Sequence, residues 1–273
     1  MQNKFDLLSP KRQQYLKNTT KNKHIVLCSK IAIWVLFFGL WQIGSDLGFI
    51  NNFILSCPSQ MITSLYGLIQ SNQLWQHLYI TTFEVIVGFF LGSSLGVLIA
   101  ILLWAFPMVN KVLEPYLVVL NSLPKIALGP IFIVWFGAGS PSIIAITVAI
   151  SLIVTVMEVL AGFLATDQSM ITLLKSMGAN KMGILTKVVL PSNIPTILNS
   201  LKVCVGMSWV GVIVGEFLVS RGGIGYLIVY GSQVFKMDLV MASVLILAIE
   251  CTLMYLLVAS VERKYISKQN KNS

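Results

Sequence analysis

The run from Tyr79 to Trp104, "YITTFEVIVGFFLGSSLGVLIAILLW", holds 26 residues and a single charge, that of Glu84. A helix of roughly 20 apolar residues spans the hydrocarbon layer of a bilayer, where every backbone group must be satisfied within the segment. The run has company. Apolar stretches at Ile25–Gly44, Val112–Phe136, Ser142–Ala165, Ile194–Phe217 and Leu239–Val261 bring the predicted main spans to six. Only 11% of residues are charged, against about 25% in soluble domains. The fold class is therefore an all-α polytopic membrane protein of about six transmembrane helices.

Charge sets the orientation, because Lys and Arg accumulate on the cytoplasmic side. With the N-terminus inside, the inner segments hold 15 of the 19 basic residues, among them Lys4, Lys11, Arg12, Lys17, Lys21 and Lys23 in the head and Arg263, Lys264, Lys268 and Lys271 in the tail. The outer segments hold only Arg221 and Lys236. Both termini are thus expected in the cytoplasm. The organisation is a basic head over residues 1–24, a membrane domain over 25–262 and a basic tail over 263–273. No small-x-small cleavage site follows the first apolar run, so it reads as a retained span. The net charge of +9 is accounted for by topology and calls for no nucleic acid.

Two outer segments are amphipathic. "PSQMITSLYGLIQSNQLWQHL" begins at Pro58, and "RGGIGYLIVYGSQVF" carries Gly222, Gly223 and Gly225. Each fits either a helix lying at the outer interface or an ordinary packed loop. Gly88, Gly92 and Gly96 form a four-residue stripe in the second span, and Gly211 and Gly215 repeat the device in the fifth, as expected where helices pack closely. Cys28, Cys57, Cys204 and Cys251 form no CxxC pair, and His24 and His77 lie far apart. They suggest neither a metal site nor a disulfide framework.

Ionisable residues inside spans are costly unless paired or wet. Here they are Glu84, Lys125, Glu158, Lys202, Glu216 and Glu250. Lys125 sits between Pro124 and Pro130, which should bend or break its helix, and broken helices at membrane depth line cavities. Lys125 has two readings: neutralising a buried acid such as Glu84 or Glu250, or lining a polar path for an anionic solute.

The polar segment between the fourth and fifth spans has its own order. In "QSMITLLKSM", Met170, Ile171, Leu173, Leu174 and Met177 fall on one helical face, with Gln168, Ser169, Thr172, Lys175 and Ser176 opposite. Asp167 suits an N-cap, Gly178 a C′ position and Asn180 a second N-cap. A second helix over Lys181–Leu190 groups Ile184, Leu185, Val188 and Val189, and Pro191 is expected to end it or kink it into the fifth span. This helix–Gly–helix elbow, residues 167–191, lies on the cytoplasmic side. It suits the headgroup surface or, better, a partner's groove. The chain has no GxxxxGK[ST] phosphate loop and no HExxH, GxSxG or paired catalytic carboxylates, so catalytic residues are not expected and any driving energy comes from elsewhere.

The elbow resembles the cytoplasmic signature EAA-x3-G-x9-I-x-LP of binding-protein-dependent ABC importer permeases. Gly178 takes the Gly, Val188 the Ile and Leu190-Pro191 the LP without a gap, while Thr172, Leu173 and Leu174 depart from EAA. "LPKIALGPIFIVWFGAG", "GANKMGILTKVVLPSNIPTI" and "GGIGYLI" are similar to the nitrate/sulfonate/taurine/bicarbonate branch, which also includes carriers of thiamine-pyrimidine precursors. The resemblance runs from about Ile31 to Ile266. It implies a type I importer (MetI-like) fold in the cell membrane, a second permease copy, two ABC ATPase subunits that use ATP and Mg, and an extracellular or periplasmic solute-binding protein. It further implies that Met170, Thr172, Leu173, Leu174, Met177, Gly178, Ala179, Val188, Leu190 and Pro191 meet the ATPase. Lys125, with Pro124 and Pro130, would border the path. The chain itself would bind no cofactor. An ion-gradient-driven transporter or channel, or a membrane-embedded enzyme, are the alternatives.

Overall fold

In the computed structural model, residues 10–272 are described, and among them there is no strand. Contacts divide the chain into two compact units, the first ending at Thr63 and the second beginning at Ser64.

The first unit is built on α1 (Pro10–Asp46), whose apolar part, Cys28–Asp46, is long enough to cross a membrane. Residues 1–9 of the basic head, Lys4 among them, lie outside the described residues; from Pro10 on, the head runs as helix into the first span within α1. After α1 come the short α2 (Asn52–Leu55) and the start of α3 (Pro58–Gln70). The turn between them is held locally. The Trp41 indole donates to the Ser56 carbonyl at 3.3 Å, the Ser59 amide donates to Gln42 at 3.1 Å, and Ser45 donates to Asn52.

In the second unit three long helices pack together: α4 (Gln73–Ala105), α7 (Ser140–Leu164) and α10 (Leu190–Val219). The glycine stripe explains the closeness. Gly88, Gly92 and Gly96 of α4 face Thr147, Ser151 and Thr155 of α7, so a four-residue ladder of glycines meets a four-residue ladder of small hydroxyl residues. Gly211 and Gly215 of α10 likewise face Thr147 and Ile143 of α7. Two of the hydroxyls are satisfied inside their own helix, Thr147 donating to the Ile143 carbonyl at 2.9 Å and Ser151 to that of Thr147 at 2.7 Å. Around this seam Val85, Phe89, Cys204, Val205, Trp209 and Val212 form a core.

The predicted span Val112–Phe136 is not one helix. α5 (Pro107–Ser122) and a segment of one 3-10 turn (Lys125–Leu128) plus α6 (Gly129–Phe136) meet at 97°. The break falls at Leu123–Pro124, where proline lacks the N–H and forces its predecessor out of the helical region. Pro130 does not add a second break. It stands in the first turn of α6, where its missing N–H would have had no partner. Among the described residues there are therefore five helices fit to cross a membrane, or six with the bent pair as one span.

α11 (Ile224–Gln233) and α12 (Met237–Asn272) complete the unit. "RGGIGYLIVYGSQVF" contains the helix α11, whose Ile224 and Leu227 are buried with Leu239 and Ile246 of α12. Lys202 of α10 pairs with Glu262 of α12 at 2.9 Å, which ties the fifth and last long helices together near the basic tail.

Candidate functional site

The elbow forms as its end signals predict. Asp167 caps α8 (Gln168–Ser176), its side chain accepting from the Ser169 amide at 2.8 Å. At the other end the Gly178 amide donates to the Lys175 carbonyl and the Ala179 amide to that of Leu174, both at 3.0 Å. This pair of bonds is a Schellman stop, and Gly178 takes the positive φ of 80° that it requires. Asn180 then caps α9 (Lys181–Ile184), accepting from the Gly183 amide at 2.8 Å.

Pro191 does not end this second helix. The chain stays helical from Lys181 to Val219, passing through a π-turn at Leu185–Val189 in which the Leu190 amide reaches back to the Leu185 carbonyl. A proline ring crowds the carbonyl four residues earlier. Here that carbonyl belongs to Lys187, inside the widened turn. Asn193, an amide between two prolines, locks the junction: it donates to Thr166 Oγ1 at 2.8 Å and to the Val189 carbonyl at 2.9 Å. Both ends of the elbow are thereby fixed to each other, through a residue that the sequence reading passed over.

The apolar residues of α8, one face in the sequence, serve two surroundings. Ile171 and Leu174 turn inward, with Ala179, Ile184, Leu185, Val189 and Leu190, onto Ala100 and Leu103 of α4 and Val156, Leu160 and Phe163 of α7. Met170, Leu173 and Met177 point outward at 55%, 61% and 73% exposure, and the neighbouring Met182 joins them. Thr172, Gly178 and Pro191 are exposed, and Val188 is half-buried. An outward patch of three methionines and a leucine is polarizable and adaptable, while the inward set is part of the same core as two long helices.

Several of the charged residues find partners that spacing did not reveal. Lys125 does not meet Glu84 or Glu250. Its Nζ donates to the carbonyl of Asn121 at 2.8 Å and to the Asn121 side chain at 3.3 Å, closing the break in the bent pair. Glu250 accepts from Thr82 at 2.8 Å. Glu216 binds the glycine-rich turn before α11. Its carboxylate accepts from Thr81 at 2.7 Å and from the Gly225 amide at 2.5 Å, while the Thr81 hydroxyl accepts from the Ile224 amide and His77 from that of Gly223. A side chain on Gly223, at φ 106°, would collide with Glu216. Thus "GGIG" is shaped by a carboxylate six residues upstream of it.

A bundle of long apolar helices, one span broken at proline, with a capped helical elbow whose inner face belongs to the core, is the architecture of a membrane permease. The chain belongs to the family of binding-protein-dependent transport system inner membrane components, whose model matches residues 88–267. It is thus an integral membrane transport subunit of the ABC importer type. A relative from Haemophilus influenzae, described as a probable ABC transporter permease protein, is 30% identical over 82% of this chain and 90% of its own length. The taurine transport system permease protein TauC of Escherichia coli is 25% identical over 86% of this chain and 87% of its own. The formylaminopyrimidine transport permease protein ThiX of Halalkalibacterium halodurans is 28% identical over 71% and 76%. Among solved structures, a chain of a bacterial ABC transporter that imports alginate superposes with a TM-score of 0.63 over 92% of this chain at 14% identity. A chain of the MetNI methionine transporter does so with 0.55 over 71% at 20%. These two establish the shared fold.

Proposed function

We propose that this chain is the permease subunit of an ATP-driven importer for a small polar or anionic solute, working as two copies with two ATPase subunits and an external binding protein. The observation that carries the reading is the two-sided elbow. Its outer face offers Met170, Leu173 and Met177 to a partner, and its inner face shares a core with α4 and α7. Tilting the elbow therefore drags two spans with it, because packed cores move as units and do not deform smoothly. ATP and Mg belong to the partner, whose closure would drive that tilt and alternate access to a path beside the broken span. The taurine and formylaminopyrimidine permeases among the relatives favour a compact solute carrying a sulfonate or a polar heterocycle.

The test is composition of the complex. Gentle solubilisation of the chain from its native membrane should retain an ABC ATPase in equal number. A complex that transports solute on an ion gradient with no ATPase bound would establish the gradient-driven alternative. Lys125 is assigned to the path, poised at the break with Pro124 and Pro130. Lys125→Met should leave assembly intact and lower uptake about tenfold, the scale of one lost charged hydrogen bond. Unchanged uptake in vesicles would confine Lys125 to bracing the turn through Asn121.

A further inference from the structure

Where the elbow meets the ends of α4 and α7 there is a cavity of about 230 Å³, the volume of about eight waters at roughly 30 Å³ each. We propose that it holds one anionic phospholipid, the phosphate headgroup between Lys175 and Lys181 and the glycerol region against Trp104, Leu164, Ile171 and Ile184. Three observations converge on that chemistry. The first is depth. The lining residues Ala105 and Leu164 are the last of their apolar helices, so the cavity lies at the level where hydrocarbon gives way to headgroups. Trp104 is at its wall, and an indole with an apolar body and one donor favours that level.

The second is charge. Lys181 spends one contact on the Ala105 carbonyl, at 3.3 Å, which leaves the remaining donors of its ammonium group free. Lys175 has no hydrogen-bond or ion-pair partner among the described residues. No acidic residue lines the cavity. The nearest in sequence, Asp167, is engaged with the Ser169 amide. Basic pockets between spans on the cytoplasmic side suit anionic headgroups, and this is the end that the charge bias assigns to the cytoplasm.

The third observation separates a lipid from a free phosphate. Apart from the lysines and Gln168 the wall is mostly apolar, made by Leu164, Ile171 and Ile184 together with Pro107. A small anion would leave that wall wet, whereas an amphiphile covers it and keeps its phosphate at the basic mouth. The occupant would join α8, α9, α4 and α7, bracing the elbow against the spans without touching its outer methionine face.

The experiment needs no ATPase, so its outcome is independent of the coupling proposal. The full chain, purified in mild detergent, is titrated with phosphatidylglycerol or phosphatidylcholine. Retained lipid is counted by native mass spectrometry, with the thermal midpoint followed in parallel. One phosphatidylglycerol per chain should be retained in preference to phosphatidylcholine, with a raised midpoint. At about fivefold per lysine near an anionic surface, the combined Lys175→Gln and Lys181→Gln variant should bind phosphatidylglycerol roughly 25-fold more weakly. The Lys175→Arg and Lys181→Arg pair should keep the affinity, which guards against simple misfolding of the glutamine variant. Equal retention of both lipids, undiminished affinity in the glutamine variant, or loss of affinity in the arginine pair would overturn the proposal. Competition by inorganic phosphate at matching concentration would overturn it too, assigning the cavity to a free anion.

Discussion

Leu173→Asp combined with Met177→Asp should give a permease that inserts and folds normally yet fails to stimulate ATP hydrolysis when solute and binding protein are added. Both side chains are largely exposed, at 61% and 73%, and neither belongs to the core beneath the elbow, so the folded chain has little to lose. A partner's groove that receives them loses a great deal. Burying a carboxylate without a paired cation costs several kcal/mol, enough to weaken docking by about 100-fold or more. The measurement is solute-stimulated ATPase activity of the complex in proteoliposomes, with the thermal midpoint of the isolated variant as control. Full stimulation with an unchanged midpoint would remove the outer face of α8 from the coupling surface. Gly178→Asp is a less clean probe. Space around the Gly178 Cα is open, but its φ of 80° strains any residue with a side chain, so lost coupling would be mixed with a disturbed stop.

The second large effect is expected from Gly92→Leu. A Cβ at Gly92 would overlap the Ser151 hydroxyl, sit 3.0 Å from Ser151 Cβ and lie 3.2 Å from the Val148 carbonyl oxygen. A side-chain hydroxyl could rotate away, but the carbonyl belongs to the α7 backbone and has nowhere to go. The helices must separate along the whole seam, because Gly88 and Gly96 make the same approach to Thr147 and Thr155. Overpacking of this kind costs about 3 kcal/mol or more, a large share of the stability of a typical fold. The variant should be recovered in poor yield, with a sharply lowered midpoint in detergent. Gly67→Ala on α3, where a Cβ meets nothing within 4 Å, is the matched control and should be neutral or slightly stabilising. A normal midpoint for Gly92→Leu would mean that α4 and α7 are not held by this stripe.

Most local signals were legible. Asp167, Gly178 and Asn180 each act within a few residues of themselves, and each took the role its chemistry predicts. Pro124 broke its span for the same reason. Pro191 showed the boundary of such reasoning: its ring demanded room, and a π-turn supplied it without interrupting the helix. Several partners of the charged residues were illegible because they lie far off in sequence. Lys202 pairs with Glu262, 60 residues away, and Thr81 with Glu216, 135 away. No spacing rule spans such distances.

The amino-acid sequence by itself determined that the chain is helical, that it is a membrane protein, and where the first helix of its elbow begins and stops. Those follow from run length, caps and charge, all of which are local or additive. Only the tertiary structure decided which apolar residues face the core and which remain outside. Periodicity marks Met170, Ile171, Leu173, Leu174 and Met177 alike, yet two pack inward and three stay exposed. In a membrane protein, lipid, core and partner are all apolar surroundings, so hydrophobicity alone does not tell them apart. Packing against α4 and α7 made that division, and it is what turned a greasy helix into a two-faced one.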